Sequence, residues 1–184
     1  VGEIRPNRGH ELALESLRNV ENAQLLIAGR CKDKAYLALL AERITNYGLG
    51  DRVRLVSKNL TDTEFNEFLA ISDISLLPYK DITTSGALLA SWTIGTPVVA
   101  SRLPYFSEMI KENDNIGQLF DINSSRSLTS TLKELSDKYT HEHWIEKRKQ
   151  TLEEAKKYDW NRVIRPLVTE IKSKVTLHEV DKLN

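Results

Sequence analysis

The amino-acid sequence predicts an α/β fold, with a doubly wound parallel sheet of about six strands, helices on both faces and a helical C-terminal extension. Short apolar runs alternate with longer segments whose apolar residues recur at helical spacing. A chain of 184 residues, 40% of them hydrophobic, is also long enough for one sizeable core. Because strand–helix–strand units are right-handed, repeated alternation places the strands parallel in one sheet, a Rossmann-like arrangement.

Six apolar runs are predicted as strands, at residues 1–4, 23–28, 53–56, 74–78, 98–100 and 117–120. Several are apolar without polar alternation, which is typical of strands covered on both faces. The first run begins without a cap or an initiating methionine. We therefore expect the chain to be a domain of a longer protein.

Amphipathic segments between these runs predict helices at residues 10–17, 34–47, 61–72, 87–94, 105–112 and 124–138. Thr61 and Glu64 have the spacing of a capping box at a helix start. Gly48 and Gly95 follow helical segments, where glycine is favoured because it accepts a positive φ.

Residues 141–175 are charged and predict helices that pack on the domain or cross to a second one, with breaks at 159–161 and at Pro166. Within them, residues 142–157 read as a solvated helical face. Residues 1–140 would form the main domain, and residues 176–184 a flexible tail.

Composition excludes several classes of function. The 26 basic and 26 acidic residues cancel, which argues against a nucleic-acid partner or a membrane surface bound through net charge. A single cysteine, Cys31, excludes an intramolecular disulfide and favours a reducing compartment. No apolar run is long enough to span a bilayer, and the four scattered histidines predict no metal site. We expect a cytoplasmic protein, with peripheral contact at the inner face of the membrane as an alternative.

One stretch combines a strand, a small polar loop and a helix start. Thr83, Thr84, Ser85 and Gly86 lie between the apolar run at 74–78 and the helix at 87–94. Free N–H groups and the positive end of the helix dipole make such a loop a seat for an anion. Taken alone, such a loop is more often an ordinary capped helix start than a phosphate site. A second loop of this kind, residues 5–9, follows the first strand.

Five segments in this order and spacing resemble the C-terminal, donor-binding domain of GT-B family-four retaining glycosyltransferases, the glycosyl transferases group 1. They read VGEIRPNRGHELALESL, NAQLLIAGR, DRVRLVSKNLTDTEF, ISDISLLPYKDITTSGALLASWTIGTPVVAS and GQLFDINSSRSL. The late segment KKYDWNRV is similar to the closing helix of that family.

The resemblance implies that a nucleoside-diphosphate sugar binds across the carboxyl ends of the strands. Arg5 and Arg8, with Gly9, would hold the diphosphate and stabilise the charge that grows as it leaves. Contact with donor sugar and phosphate would come from Thr83, Thr84, Ser85 and Gly86. In this reading no metal ion is required, and no cofactor is expected besides the donor substrate.

One further segment and one further residue follow from the same resemblance. The main chain of Lys58, Asn59 and Leu60 would bracket the nucleobase, and Glu108 occupies a place where members often carry a glutamate. For Glu108 an ordinary exposed helical carboxylate is an equal alternative.

The chain departs from the family at two positions. Many members carry glutamates near the donor sugar and the ribose where this chain has Ile82 and Ala90. Neither side chain can accept a hydrogen bond from a hydroxyl.

The expected function is that of a hexosyltransferase-like enzyme, in cell-surface polysaccharide synthesis, acting on a glycan or lipid-linked acceptor through a missing N-terminal domain. As a fragment the chain would be inactive alone. The alternative is a non-catalytic nucleotide- or sugar-binding module of the same fold.

Other doubly wound proteins fit the sequence less well. An epimerase-like nucleotide binder would need a G-x-G-x-x-G turn after the first strand, which residues 2–6 do not provide. A phosphorylase would need a lysine for pyridoxal phosphate, and no motif identifies one. A flavodoxin-like receiver would need clustered acids where this chain has Arg5 and Arg8.

Overall fold

The structure, a computed structural model, describes residues 1–111 and 113–181, apart from the side chains at 141, 160, 161 and 173–181. Two 3-10 turns cover Pro6–Arg8 and Lys156–Tyr158. The other elements are, in chain order, α1 (His10–Leu17), β1 (Leu25–Gly29), α2 (Lys34–Asn46), β2 (Val53–Ser57), α3 (Asp62–Ala70), β3 (Ser75–Leu77), α4 (Gly86–Thr93), β4 (Val98–Ser101), α5 (Pro104–Ile110), β5 (Gly117–Phe120), α6 (Ser125–Lys138), α7 (His141–Ala155) and α8 (Trp160–Asp181).

All strand pairs are parallel, which confirms the doubly wound α/β class. The described strands form two ladders, one of β1 and β2 and one in the order β3–β4–β5. A cavity of about 1350 Å³ is lined by residues of both ladders, among them Leu26, Ile27, Ser75 and Leu76. Because the strands in each ladder are parallel, their carboxyl ends share one edge.

The prediction of a sixth strand at residues 1–4 was wrong in detail. Gly2 and Ile4 donate backbone hydrogen bonds to Ala28 and Arg30, so the segment runs beside β1. Only a single bridge, between Ile4 and Cys31, forms there. Gly2 has φ +126°, outside the range of an extended strand, and this interrupts the pairing.

The buried hydrophobic residues form separate clusters on the two ladders. One cluster lies between β1, β2, α1 and α2 and contains Leu14, Ile27 and Leu40. A second lies under β3, β4, α4 and α5, where Trp92 donates from Nε1 to the Ile116 carbonyl at 2.8 Å. A third, around Phe120, anchors α6. Burial of these apolar faces supplies most of the stabilisation of such a fold.

The predicted helix boundaries are confirmed where capping chemistry is visible in the sequence. Thr61 and Glu64 form the expected capping box at the start of α3. Gly95 has φ +82° and ends α4 with two backbone bonds, from Gly95 N to Trp92 O and from Thr96 N to Ser91 O. That pair of bonds is a Schellman motif, which satisfies carbonyls at the helix end. Of the predicted helix at 105–112, residue 112 lies outside the described residues.

The C-terminal helices differ from two expectations. α7 is solvated on one side only, since Lys147 and Thr151 on its other side are buried and donate hydrogen bonds to the carbonyls of Asp114 and Asn115. The break at residues 159–161 is confirmed, but α8 continues through Pro166. A proline inside a helix removes the hydrogen bond at its own nitrogen and its ring crowds the carbonyl four residues earlier, which weakens the helix, but its φ is helical and it does not end α8. The predicted tail at 176–184 overlaps α8 up to Asp181, and its last three residues lie outside the described part.

No helix among the described residues is long and apolar enough to cross a bilayer.

Candidate functional site

The turn from Arg5 to Gly9 lies at the carboxyl edge of the sheet, directly before α1. Residues Pro6–Arg8 form one 3-10 turn, and Gly9 follows with φ +69°. A Cβ added at Gly9 would stand 1.8 Å from the carbonyl oxygen of Pro78. Only glycine therefore allows the turn to lie against the chain that leaves β3.

Polar contacts hold the same two segments together. The Lys80 backbone N–H donates to the Asn7 carbonyl at 2.9 Å. The Asn7 amide, through Nδ2, donates to Asp81 Oδ1 at 3.1 Å. Asn7 and Asp81 were not predicted as site residues. Both are of types that favour turns, and this was the one feature of the sequence that pointed to them. Together these contacts fix residues 5–9 against residues 78–81.

The two predicted arginines differ in their partners. Arg5 Nη1 lies 3.4 Å from Glu3 Oε2, and that carboxylate also lies within 4.0 Å of Lys32. The guanidinium of Arg8 lies over the ring of Tyr79, with Cζ 4.0 Å from the ring centroid. Within residues 1–111 and 113–181, no carboxylate lies within salt-bridge distance of Arg8. Arg8 is thus the cation of the pair whose charge is not already balanced.

The N-terminus of α4 forms the second part of the site. Ser85 is buried, and its Oγ accepts a hydrogen bond from the Leu88 N–H at 3.2 Å. This cap leaves Gly86 at the first helical position, where an N–H has no acceptor within the helix. Thr83 and Thr84 are exposed on the preceding loop. The structure therefore confirms a capped helix start, and anion binding by the free N–H groups stays a prediction.

Tyr79 joins the turn to this helix start. Its ring is buried and packs against Phe106, with centroids 5.7 Å apart. Burial raises the pKa of the Tyr79 phenol, while the charges of Arg8 and Arg5 and hydrogen bonding with Ser85 and Arg8 oppose that rise. Arg8, Tyr79 and Ser85 consequently form one contiguous group.

A polar cluster of α1, α2 and Lys80 lies next to the turn. The Tyr36 hydroxyl donates to Glu11 Oε2 at 2.5 Å, and Lys80 Nζ lies 3.9 Å from the other oxygen of that carboxylate. Burial lowers the pKa of His10 to about 4, with a further contribution from the positive N-terminal amino group. His10 is therefore neutral at physiological pH, and it adds no charge beside Arg8.

The segment predicted to bracket the nucleobase follows β2 at the same edge. Lys58 donates its backbone N–H to Gly29 O, and its Nζ lies 2.5 Å from Glu64 Oε1. That contact lowers the pKa of Glu64. Asn59 is exposed and Leu60 partly buried, and both line a depression of about 320 Å³. The Lys58 ammonium is thus already paired, which leaves the main chain and the exposed Asn59 as the parts of this segment open to a ligand.

The remaining predicted positions add no polar contact to this cluster among the described residues. Ile82 packs against the core cluster under β3 and β4, and Ala90 lies one turn into α4. Glu108 is exposed on α5 and makes no hydrogen bond or ion pair among the described residues. In that same part of the chain, no group of three histidine, cysteine, aspartate or glutamate residues is arranged to hold a metal ion.

Solved structures share this architecture at low sequence identity. Anabaena Alr3699/HepE, solved in complex with UDP, has a TM-score of 0.77 and 19% identity, over 94% of this chain and 48% of that protein. A Rickettsia africae glycosyltransferase has a TM-score of 0.79 and 16% identity, over 94% and 46%. The C-terminal domain of Francisella tularensis LpcC, a glycosyl transferase group 1 protein, has a TM-score of 0.73 and 15% identity, over 85% and 82%.

The chain spans about half the length of the two full-length neighbours. No curated protein sequence matches it. The family model for glycosyl transferases group 1, however, matches residues 1–158, most of the chain and all of the site described above. The chain belongs to the glycosyl transferases group 1 family.

Proposed function

We propose that this chain is the donor-binding domain of a glycosyltransferase that moves a sugar from a nucleoside diphosphate to a glycan or lipid-linked acceptor, in cell-surface polysaccharide synthesis. The observation that carries the proposal is the unbalanced charge of Arg8, which lies over the Tyr79 ring and lines a cavity together with Gly86 at the start of α4. A guanidinium and free N–H groups that converge on one volume suit a diphosphate. The likeness to HepE, which was solved with UDP, supports the same class of donor.

Each part of the site receives a role in this proposal. The diphosphate contacts Arg8, the backbone of Gly9 and the loop of residues 83–86. Arg5 contributes a weaker interaction, because Glu3 already offsets its charge. The nucleobase lies in the depression beside residues 58–60 and is held mainly by the main chain. Glu108 remains a candidate for contact with the sugar.

Glycosyl transfer breaks the bond between the anomeric carbon and a diphosphate oxygen, which leaves negative charge on the departing nucleoside diphosphate. Arg8 stabilises that charge through directed hydrogen bonds, and the dipole of α4 adds to the effect. Because the proposal assigns charge neutralisation to these groups, donor binding is expected to be metal-independent. Nucleotide affinity that is the same with and without EDTA would agree with that assignment.

Acceptor binding lies outside the chain in this proposal. The chain covers about half of its full-length neighbours, and positioning of the acceptor is a large part of glycosyl transfer. The isolated chain should therefore bind donor but turn over little. We place the enzyme in the cytoplasm, with peripheral contact at the inner face of the membrane.

A non-catalytic binding module is the second candidate. It is favoured by Ile82 and Ala90, which offer no carboxylate to the donor sugar or the ribose. In that case the domain would bind the nucleotide, and a full-length protein containing it would transfer no sugar.

Calorimetric titration with UDP, GDP and ADP tests the proposal. We expect saturable binding of one nucleotide, weakened about ten- to a hundredfold by Arg8→Ala and less by Arg5→Ala. Arg18→Ala is a matched control, because Arg18 also stacks on a tyrosine, Tyr47, at 4.6 Å, but at the other end of α1. An Arg8→Ala variant that binds as tightly as the wild type would refute the assignment.

A further inference from the structure

Arg8 and Arg5 are held in different ways, and the difference bears on what each can bind. Arg5 uses its guanidinium edge to contact the Glu3 carboxylate. Arg8 lies over the Tyr79 ring, with Cζ 4.0 Å from the ring centroid. A guanidinium has five N–H donors, so a contact over a ring with one hydrogen bond to the phenol leaves most of them available, whereas the salt bridge of Arg5 offsets its charge as well.

The ring that holds Arg8 is itself fixed. Tyr79 is 6% exposed and packs on Phe106, which is fully buried. The backbone immediately before it, at Pro78, lies against Gly9. Both the guanidinium and the ring are therefore attached to backbone segments that touch each other, and little freedom remains between them.

The phenol end of the ring points toward the helix start. Hydrogen bonding with Ser85 connects Tyr79 to the residue that caps α4. One buried side chain thus contacts both the cation and the helix N-terminus that the proposed function assigns to the diphosphate.

We propose that Tyr79 is a positioning residue that holds the Arg8 guanidinium, by stacking, at the N-terminus of α4 with its N–H donors free for a diphosphate. This inference rests on the proposed function. Tyr79 acts through Arg8 and need not touch the ligand. Without the ring, the flexible Arg8 side chain would lose conformational freedom on binding, and the diphosphate would be held less tightly.

A double-mutant cycle on the full 184-residue chain tests this proposal, with UDP, GDP, ADP and inorganic pyrophosphate as probes. Tyr79→Leu should weaken binding of the preferred probe about five- to thirtyfold, the range of a desolvated cation–π contact. Tyr79→Phe keeps the ring face and should bind within about threefold of wild type. In the Arg8→Ala background, Tyr79→Leu should cause no further loss, because the side chain that it positions is gone.

Two controls separate positioning from folding. Tyr47→Leu removes the ring under Arg18 and should leave binding unchanged. Arg8→Lys leaves the buried ring in place and keeps the charge but loses the planar group, so it should bind several-fold more weakly than wild type even if Tyr79→Leu does not fold.

The outcomes are distinct. If Arg8→Ala weakens binding and a folded Tyr79→Leu binds like wild type, positioning by Tyr79 is refuted and the proposed function stands. Additive losses in the double variant would also refute it, since Tyr79 would then contact the ligand independently. Wild-type protein that binds none of the four probes would overturn the proposed function and this inference with it.

Discussion

The two sides of the candidate site are built in opposite ways. On the side that we propose for the diphosphate (the phosphate side), the turn at residues 5–9 is fixed to residues 78–81 by a glycine contact and two hydrogen bonds, and Arg8 lies on a buried ring. On the side that we propose for the nucleobase (the base side), Lys58 and Asn59 are exposed, and Lys58 is paired with Glu64 at the surface. A charged ligand group needs fixed, unpaired donors, whereas a planar base can be held by main chain and shape alone. Substitutions should therefore be far more costly on the first side than on the second.

The largest expected effect is on stability, at Gly9. Gly9→Ala would place a Cβ 1.8 Å from Pro78 O at φ +69°, so one segment must move. We expect the free energy of unfolding, measured by urea denaturation, to fall by roughly 3 kcal/mol or more. Gly48→Ala, at φ +64° with nothing within 4 Å, isolates the backbone strain and should cost about 1 kcal/mol. Equal losses in the two variants would contradict the close docking of the turn.

The next effect is pH-dependent and concerns His10, directly after the turn. Its pKa in the folded protein is about 4, below the ordinary value of 6.5, because burial disfavours the charged form. Between these pH values the unfolded chain binds more protons than the folded one. The contribution of neutral His10 to the free energy of unfolding is therefore fully present above pH 6.5 and is lost as the pH drops toward 4. His10→Gln should flatten that part of the profile in denaturation curves at several pH values. An unchanged slope would show that His10 is not responsible.

A smaller effect distinguishes the helix cap at the site from one elsewhere. Ser85 caps α4 and Ser124 caps α6, each through its side-chain oxygen. Replacement of either by alanine should lower the free energy of unfolding by about 1 kcal/mol. Only Ser85→Ala should also weaken nucleotide binding, since α4 begins in the loop that follows Tyr79 and α6 does not. Equal binding by the two variants would argue against a diphosphate at α4.

The smallest effect is expected on the base side. Lys58→Ala removes an ion pair between partly exposed side chains, and such pairs contribute under about 1 kcal/mol. Nucleotide affinity, measured by calorimetry, should stay within about threefold of wild type, because this segment offers its backbone. A loss as large as that of Arg8→Ala would mean that Lys58 itself binds phosphate.

Much of the fold was predictable because local chemistry marks it. Apolar runs correctly placed β1 to β5, and capping residues such as Thr61 and Gly95 placed helix ends within a few residues. The errors arose where local rules compete with context. Pro166 was expected to break a helix that in fact continues, and charged α7 was predicted to be a solvated face although Lys147 is buried and donates to the Asp114 carbonyl.

The site was predictable as a set of segments and not as an arrangement. Residues 5–9 and 83–86 were identified because basic, small and hydroxyl-bearing residues follow strands. The contact between the two segments could not be predicted, because Asn7 and Asp81, which form it, are 74 positions apart in the chain. Periodicity and motif spacing report on neighbours in sequence and carry little information on which loops meet.

The amino-acid sequence by itself determined the parallel α/β class, the order of the elements and the two polar loops that follow strands and precede helices, because hydrophobic periodicity and capping act over a few residues. Only the tertiary structure decided that Arg8 is unbalanced while Arg5 is paired with Glu3, and that Tyr79 lies beneath Arg8. The physical reason is that charge compensation and stacking depend on distances of a few ångströms between segments remote in the chain, and packing of the core sets those distances.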